Sequence, residues 1–236
     1  MTTATSQKEL TVSSTALLDK IRQSEATTVV LVGGARSSKS YSLMQYFISL
    51  LLGGENLVLG MTRKTGPALK MSMIELFVKL MKEYRLYDES RHYKSAPMNY
   101  RYGSNVLWMF SMDEAEKLKS TSFNYLWQEE ANEYDYEDYT VLKLRLSEPS
   151  SGPRNQIFLS LNPIDEGNWI PQRLLKETDV EVIHSTYKDN PFLSTEYKRI
   201  LEDLINQDEN YYRVYTLGLW GKLENLVNRN WHQVDA

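Results

Sequence analysis

The stretch Val29–Ser40 constrains this chain more than any other. Val29-Val30-Leu31-Val32 is an unbroken apolar run, mostly β-branched, and suits a strand covered on both faces. Gly33-Gly34 interrupts it. From Ser40 onward Tyr41, Leu43, Met44, Phe47, Ile48, Leu51 and Leu52 recur at helical spacing. Gly33-Gly34-Ala35-Arg36-Ser37-Ser38-Lys39-Ser40 therefore joins a strand to a helix, the context a phosphate-binding loop requires. In such a loop successive backbone N–H groups point inward as an anion nest, and the helix N-terminus adds partial positive charge. The spacing places Lys39 at the β- and γ-phosphates and the Ser40 hydroxyl on Mg²⁺. Ser38 stands where G-x-x-x-x-G-K-[ST] expects its second Gly. A Cβ fits there if the backbone is right-handed and the side chain points away from the phosphates. The bland alternative is a Gly-Gly turn with Lys39 solvated.

The chain has 236 residues, enough for one large α/β domain or a domain with a small appendage. It contains no Cys, which excludes disulfides and thiolate metal sites and fits a reducing compartment. No apolar run is long enough to span a bilayer, and Met1–Gln7 has no signal-peptide core. The formal net charge is −4, so any grip on nucleic acid is local or supplied by something else.

Along the chain, residues 1–14 read as a fraying N-terminal segment. Thr15–Arg22 reads as a short helix, and Asn56–Gly60 as a second apolar strand running into Met61-Thr62-Arg63. Pro67 suits the first turn of a following helix that carries Met71, Ile74, Leu76, Phe77, Val78, Leu80 and Met81. Asn99–Tyr102 and Val106–Phe110 form a hairpin across Gly103-Ser104-Asn105. Asp113–Leu118 is a short charged helix or turn, Tyr125–Gln128 a strand, Tyr136–Leu146 a helix and Ser147–Arg154 a loop. Gln156–Leu161 is a buried strand, Trp169–Glu177 a helix and Val180–Ser185 a last strand. Thr195–Asn206 and Glu209–Leu217 follow as two amphipathic helices. Alternating strands and helices imply a mostly parallel sheet covered on both sides.

Hydrolysis at a phosphate loop needs a metal-holding acid at a neighbouring strand end and a base to orient water. Tyr125-Leu126-Trp127-Gln128-Glu129-Glu130 supplies both: Glu129 stands at the Mg²⁺-associated position and Glu130 at the water-activating one. The alternative is an acidic start to a solvated segment. The next strand ends in Ser160-Leu161-Asn162-Pro163, where a polar tip senses the γ-phosphate or simply makes an Asn-Pro turn. Four cations are candidates for phosphate charge. Arg36 lies inside the loop, Arg63 ends the second strand, and Lys119 and Arg145 flank the acidic strand and could act on a neighbour's nucleotide. Each also has a surface-charge reading. The histidines, His92, His184 and His232, are scattered, and no metal cage beyond Mg²⁺ is assigned.

Taken in order, Gly33–Ser40, Arg63-Lys64-Thr65-Gly66, Leu118-Lys119-Ser120, Trp127-Gln128-Glu129-Glu130-Ala131-Asn132-Glu133, Leu161-Asn162-Pro163 and Thr186-Tyr187-Lys188-Asp189-Asn190-Pro191-Phe192-Leu193 resemble the ATPase half of a tailed-bacteriophage large terminase, the PBSX-like branch in particular. The resemblance runs from about Val29 to Trp220. It implies an additional-strand P-loop NTPase core over residues 15–191, a small helical lid over 192–222, and a linker over 223–236 towards an absent nuclease domain. It implies ATP and Mg²⁺ as cofactors and an ATP-hydrolysing motor that drives double-stranded DNA into a procapsid. The implied partners are the DNA, the portal protein, the small terminase and further copies of the chain in a ring, with no membrane, in the host bacterial cytoplasm. Residue by residue, it makes Lys39 and Ser40 phosphate and Mg²⁺ contacts, Glu129 the Walker B acid, Glu130 the catalytic carboxylate, and Ser160-Leu161-Asn162 the coupling motif. Lys119 falls where some terminases carry a trans-acting arginine. Lys119 and Ser38 depart from the family pattern. A P-loop small-molecule or nucleotide kinase, a helicase-like ATPase and a non-catalytic nucleotide switch remain as competing readings. A kinase would carry an Arg-rich lid, whereas residues 192–220 hold only Arg199 and Arg213.

Overall fold

The computed structural model describes residues 13–114, 120–149 and 155–222. Lys119, most of the expected N-terminal segment and the expected linker lie outside the described residues.

Helix α1 (Ala16–Gln23) buries Leu17, Leu18 and Ile21 and leads to β1 (Thr28–Gly33). All six residues of β1 are buried, as a strand with sheet neighbours on both sides and helices on both faces must be. Helix α2 (Lys39–Gly53) and strand β2 (Val58–Arg63) follow. The helix expected around Pro67 forms in three pieces: α3 (Gly66–Leu69), a π-helical turn over Lys70–Ile74, and α4 (Glu75–Glu83). Within the π turn the Ser72 hydroxyl donates back to the Ala68 carbonyl at 2.8 Å, a contact that loosens helical regularity.

Strand β3 is only His92–Tyr93; β4 (Met98–Tyr102) and β5 (Asn105–Ser111) form the expected hairpin. After β6 (Tyr125–Glu129) come α5 (Tyr136–Lys143), β7 (Gln156–Leu161), α6 (Trp169–Gln172) and β8 (Val180–Ser185). The single helix expected over Trp169–Glu177 is broken at Arg173 (φ −128°, ψ −60°), whose guanidinium lies 3.4 Å from the Tyr136 ring centroid. Helices α7 (Thr195–Gln207) and α8 (Glu209–Tyr211) and a π turn over Tyr212–Thr216 complete the described chain.

The sheet order is β3-β4-β5-β2-β6-β7-β1-β8. The six strands from β5 to β8 run parallel, and β3 and β4 add an antiparallel edge. One core, around Phe47, Phe77, Trp127 and Phe158, lies under α1, α2 and α4; the other, around Phe110, Phe123, Tyr139 and Ile170, lies under α5 and α6. Strand β7 sits between β1, which feeds the glycine loop, and β6, which carries the acids. That interposed strand is the mark of the additional-strand P-loop class, so the expected fold is the observed one. Ligands in such sheets sit beyond the carboxyl ends of the strands, where the tips of β1, β6 and β7 meet.

Candidate nucleotide site

The loop after β1 differs from expectation at its key position. Ser38 has φ 69° and ψ 11°, so the left-handed geometry of the missing Gly is kept and a Ser occupies it. The condition under which a Cβ would fit without strain, a right-handed backbone, is therefore not met at Ser38. Arg36 is left-handed too, at φ 55°. The two glycines serve close approach instead. A Cβ on Gly33 would stand 2.2 Å from the Ser185 carbonyl oxygen, and one on Gly34 2.4 Å from that of Tyr215. Gly34 N–H donates to Ser185 O (3.2 Å) and Ala35 N–H to Tyr215 O (2.8 Å). These two amides therefore brace the loop and are not free to meet an anion.

Lys39 is buried at the helix start. Its ammonium lies 2.9 Å from Gly33 O and from Gly34 O, 3.1 Å from Ser37 Oγ and 3.0 Å from Asn162 Oδ1. Burial pulls its pKa down to about 8 against the opposing fields of Glu129 and Glu130. Ser37 is itself fixed by Ser185, whose hydroxyl donates to Ser37 Oγ at 3.0 Å.

Glu129, buried at the tip of β6, bridges the loop and β7. One carboxylate oxygen accepts from Ser40 Oγ at 2.5 Å, and the other accepts from Ser160 Oγ. Ser160 in turn accepts from the Trp127 indole N–H at 2.8 Å. The β6–β7 register sets Glu129 directly opposite Ser160, which explains the contact. Ser40 Oγ and the Glu129 carboxylate form a compact pair of hard oxygen donors. Mg²⁺ characteristically takes one or two such protein ligands and completes its shell with water and phosphate oxygens. No group of three or more His, Cys, Asp or Glu suited to an all-protein metal cage exists among the described residues.

Glu130 is the first residue past β6 and is left-handed, with φ 52° and ψ 57°. Burial, then the adjacent Glu129 charge, push its carboxyl up to about 7, while Arg63 and Lys39 pull the other way. Ala35–Tyr41, Glu129, Glu130, Ser160 and Asn162 all line one cavity of about 690 Å³, within the range of small-molecule sites.

The structure brings loop residues Ala35–Ser40, the acids and the strand-tip residues Ser160 and Asn162 to one cavity, while Gly33 and Gly34, expected at the phosphates, pack against Ser185 and Tyr215 and do not line it. Arg36 lines the cavity as well, and its exposed side chain sets the guanidinium 5.8 Å from the Tyr197 ring centroid on α7. Arg145 does not line the cavity. Sequence reasoning missed Ser13, Leu76, Lys79 and Phe192 in the cavity wall, and Asn190, whose amide donates to Arg36 O at 2.8 Å. Tyr41, by spacing an apolar helix position, lines the cavity too. Sequence reasoning missed the pairing of Arg63 with Glu133 as well. These contacts join residues far apart in the chain and leave no local pattern.

Comparisons with known proteins agree with this geometry. A family model described as "Phage terminase large subunit" matches residues 25–219. The PBSX phage terminase large subunit of Bacillus subtilis (strain 168) is 28% identical over 220 residues, covering 84% of this chain and 50% of that protein. The large terminase of a thermophilic bacteriophage superposes with a TM-score of 0.70 at 19% identity, over 87% of this chain and 52% of that one. The large terminase ATPase domain of Thermus phage P74-26 does so with a TM-score of 0.63 at 14% identity, over 88% of this chain and 94% of that one. The chain spans about half the length of the curated relative it matches.

Proposed function

The chain belongs to the phage terminase large subunit family, and on that premise we propose that it is an ATP-hydrolysing motor domain that powers movement of double-stranded DNA into a procapsid. The observation that carries the reading is the junction of Ser40, Glu129 and Glu130 at the tips of β1 and β6. A loop that only bound nucleotide would not need a second, strained acid facing the same cavity. The thermophilic-phage large terminase has been solved with ADP and with ATP-γ-S, which supports nucleotide as the ligand of this fold.

In this reading the loop amides from Arg36 onward and Lys39 bind the phosphates. Ser40 and Glu129 would hold Mg²⁺, which neutralises phosphate charge when bound. Glu130 accepts a proton from the attacking water and aligns it in line with the γ-phosphate. Asn162 and Ser160 couple that event to movement: Asn162 touches Lys39, and Ser160, two residues earlier on β7, holds Glu129. Residues 192–222 are the lid, with α7 and the Tyr212–Thr216 turn braced on the loop through Tyr215. A cation from a neighbouring copy, at the position of Lys119, completes the site in a ring on the portal. The small terminase is a further partner, and the work takes place in the bacterial cytoplasm.

The test is steady-state hydrolysis alongside nucleotide binding. Wild-type protein is expected to hydrolyse ATP with Mg²⁺ and to accelerate when concentrated or given double-stranded DNA. Glu130→Gln is expected to bind ATP and lose turnover by about 10²–10³-fold. Retained turnover in that variant would overturn the assignment.

A further inference from the structure

We propose that Asn190 is a positioning residue for the phosphate loop: by holding the Arg36 carbonyl it turns the Arg36–Ser37 peptide so that the Ser37 N–H faces a bound diphosphate. The inference rests on the nucleotide-binding reading above and deepens it, because Asn190 lies outside the loop, on the segment between β8 and α7.

The chain leaving β8 grips the loop at two points. At the first, the Ser185 carbonyl accepts from Gly34 N–H at 3.2 Å and the Ser185 hydroxyl donates to Ser37 Oγ at 3.0 Å. At the second, Asn190 Nδ2 donates to Arg36 O at 2.8 Å. Between them Tyr187–Asp189 is a 3₁₀ turn closed by a capping box. The Asp189 carboxylate accepts from Thr186 N–H at 2.7 Å, and Thr186 Oγ1 accepts from Lys188 N–H at 3.3 Å. Asn190 N–H donates to Tyr187 O at 3.2 Å. The Asn190 backbone is extended, at φ −104° and ψ 97°, which keeps it out of the region that Pro191 disfavours. Its Oδ1 accepts from Phe192 N–H at 3.0 Å. That contact uses the oxygen end of the amide and leaves the NH₂ end for Arg36, so the two ends cannot be exchanged.

A trans peptide is planar, and its C=O and N–H point in opposite directions. With Arg36 O held towards Asn190, the Ser37 N–H points away from Asn190. The Ser37 side chain is fixed independently: its hydroxyl accepts from Ser185 and, at 3.1 Å, from Lys39 Nζ. Arg36 and Ser38, on either side of Ser37, are both left-handed, at φ 55° and 69°. Such residues persist only where the surroundings over-determine them. The peptide between Arg36 and Ser37 can turn over by opposed changes in ψ of Arg36 and φ of Ser37, with the ends of the loop left in place. One orientation offers an N–H to an anion, and the other offers a carbonyl oxygen that repels it. The Asn190 bond selects the first before any nucleotide arrives. Ser37, Asn190 and Phe192 all line the nucleotide cavity. Aspartate at position 190 has the same shape and could still accept from Phe192 N–H. It would, however, set a carboxylate oxygen, an acceptor only, against the Arg36 carbonyl.

The test compares wild type with Asn190→Ala and Asn190→Asp, using stopped-flow binding of a fluorescent ADP analogue and the melting temperature of nucleotide-free protein. A group that arranges the loop in advance, without touching the ligand, acts on the fraction of molecules competent to bind. Asn190→Ala is therefore expected to slow association about tenfold while dissociation stays within about threefold. Asn190→Asp should bind more weakly still, by about a hundredfold against wild type. The order of the two variants separates this role from a structural one. If Asn190 only shaped the turn, aspartate, which keeps the Phe192 contact, would be the milder change. The gap between the variants should persist at high salt, where simple repulsion of ADP by the carboxylate is screened. Aspartate binding as tightly as alanine, a gap that vanishes at high salt, or an alanine loss carried by faster dissociation would each overturn the proposal. Should Asn190→Ala melt far below wild type, Asn190→Asp, which retains the turn, carries the comparison with wild type. If wild-type protein does not bind the ADP analogue, the nucleotide reading fails. If it does and both variants bind within about twofold of it, this inference alone fails.

Discussion

Replacing Ser38 by Gly tests the loop at the point where it departs from the P-loop pattern. Ser38 is held at φ 69° and ψ 11°, and its hydroxyl makes no capping hydrogen bond at the start of α2. Nothing is therefore lost with the side chain. An L residue in this conformation is disfavoured by about 1–2 kcal/mol. Glycine returns about 0.4–1 kcal/mol of that through the greater freedom of the unfolded chain. The difference favours glycine by about 0.5–1 kcal/mol. At about 2–4 °C per kcal/mol for a domain of this size, the melting temperature should rise by roughly 1–4 °C. The assay is calorimetric melting of nucleotide-free protein, with Ser38→Ala as the control. Alanine keeps the Cβ and thus the strain, so it should melt close to wild type. Because the backbone geometry is unchanged, nucleotide affinity of Ser38→Gly should stay within about twofold of wild type. A Gly variant that melts at or below wild type would refute the claim that the backbone here is strained.

Two further outcomes follow from the same geometry. The folded-state pKa of Glu130, about 7, lies above its ordinary 4.5. Ionised Glu130 therefore destabilises the nucleotide-free fold, by nothing below pH 4.5 and by a penalty that grows up to pH 7 and is full above it, on the order of 3 kcal/mol. Glu130→Gln should gain stability over wild type at pH 8.5 but not at pH 4.5, read by urea unfolding at both values. Gly218→Ala would set a Cβ 2.8 Å from Gly34 N at φ 65°, whereas Gly103→Ala, at φ 59°, meets nothing within 4 Å. Gly103→Ala should cost about 1 kcal/mol from backbone strain alone. Gly218→Ala should cost at least about 2 kcal/mol and shrink the melting shift produced by ATP.

Which parts of this molecule could be read from its residues follows from how local their causes are. Gln156–Leu161 and Val180–Ser185 were placed to the residue because each is a short run bounded by turn formers. The acids Glu129-Glu130 and the tip Ser160–Asn162 could be set at the ends of their strands for the same reason. Strand β3, two residues long, has no periodicity to read. The π turn at Lys70–Ile74 retains a helical apolar pattern and cannot be told from an α-helix by spacing. The backbone of Ser38 could not be read from its residue type, because the surrounding loop imposes the left-handed conformation. Gly33 and Gly34 make room for Ser185 and Tyr215, neighbours that no local pattern announces. Arg63 and Glu133 are separated by 70 positions, and only the β2–β6 pairing brings them together.

The two polar residues at the end of β7 should behave differently when removed, and hydrogen counting says why. An ammonium has three protons, yet Lys39 has four acceptors within reach, one of them Asn162 Oδ1. Removing Asn162 leaves Lys39 with enough partners, and Asn162, partly exposed at the strand tip, leaves no orphan behind. Asn162→Ala should therefore change nucleotide-free stability by less than about 0.5 kcal/mol. Ser160 has no such redundancy. Its hydroxyl accepts from Trp127 and donates to Glu129, both buried. Ser160→Ala leaves an indole N–H and a carboxylate oxygen unpaired and should cost about 1–3 kcal/mol. Urea unfolding at constant pH measures both, and equal losses would show that Lys39 depends on Asn162 after all. If the order holds, Asn162 is the contact Lys39 can release when phosphate arrives, while Ser160 keeps Glu129 in register. One strand would then carry a fixed contact and an exchangeable one two residues apart, as a strand that passes a change in phosphate contacts on to the rest of the sheet must.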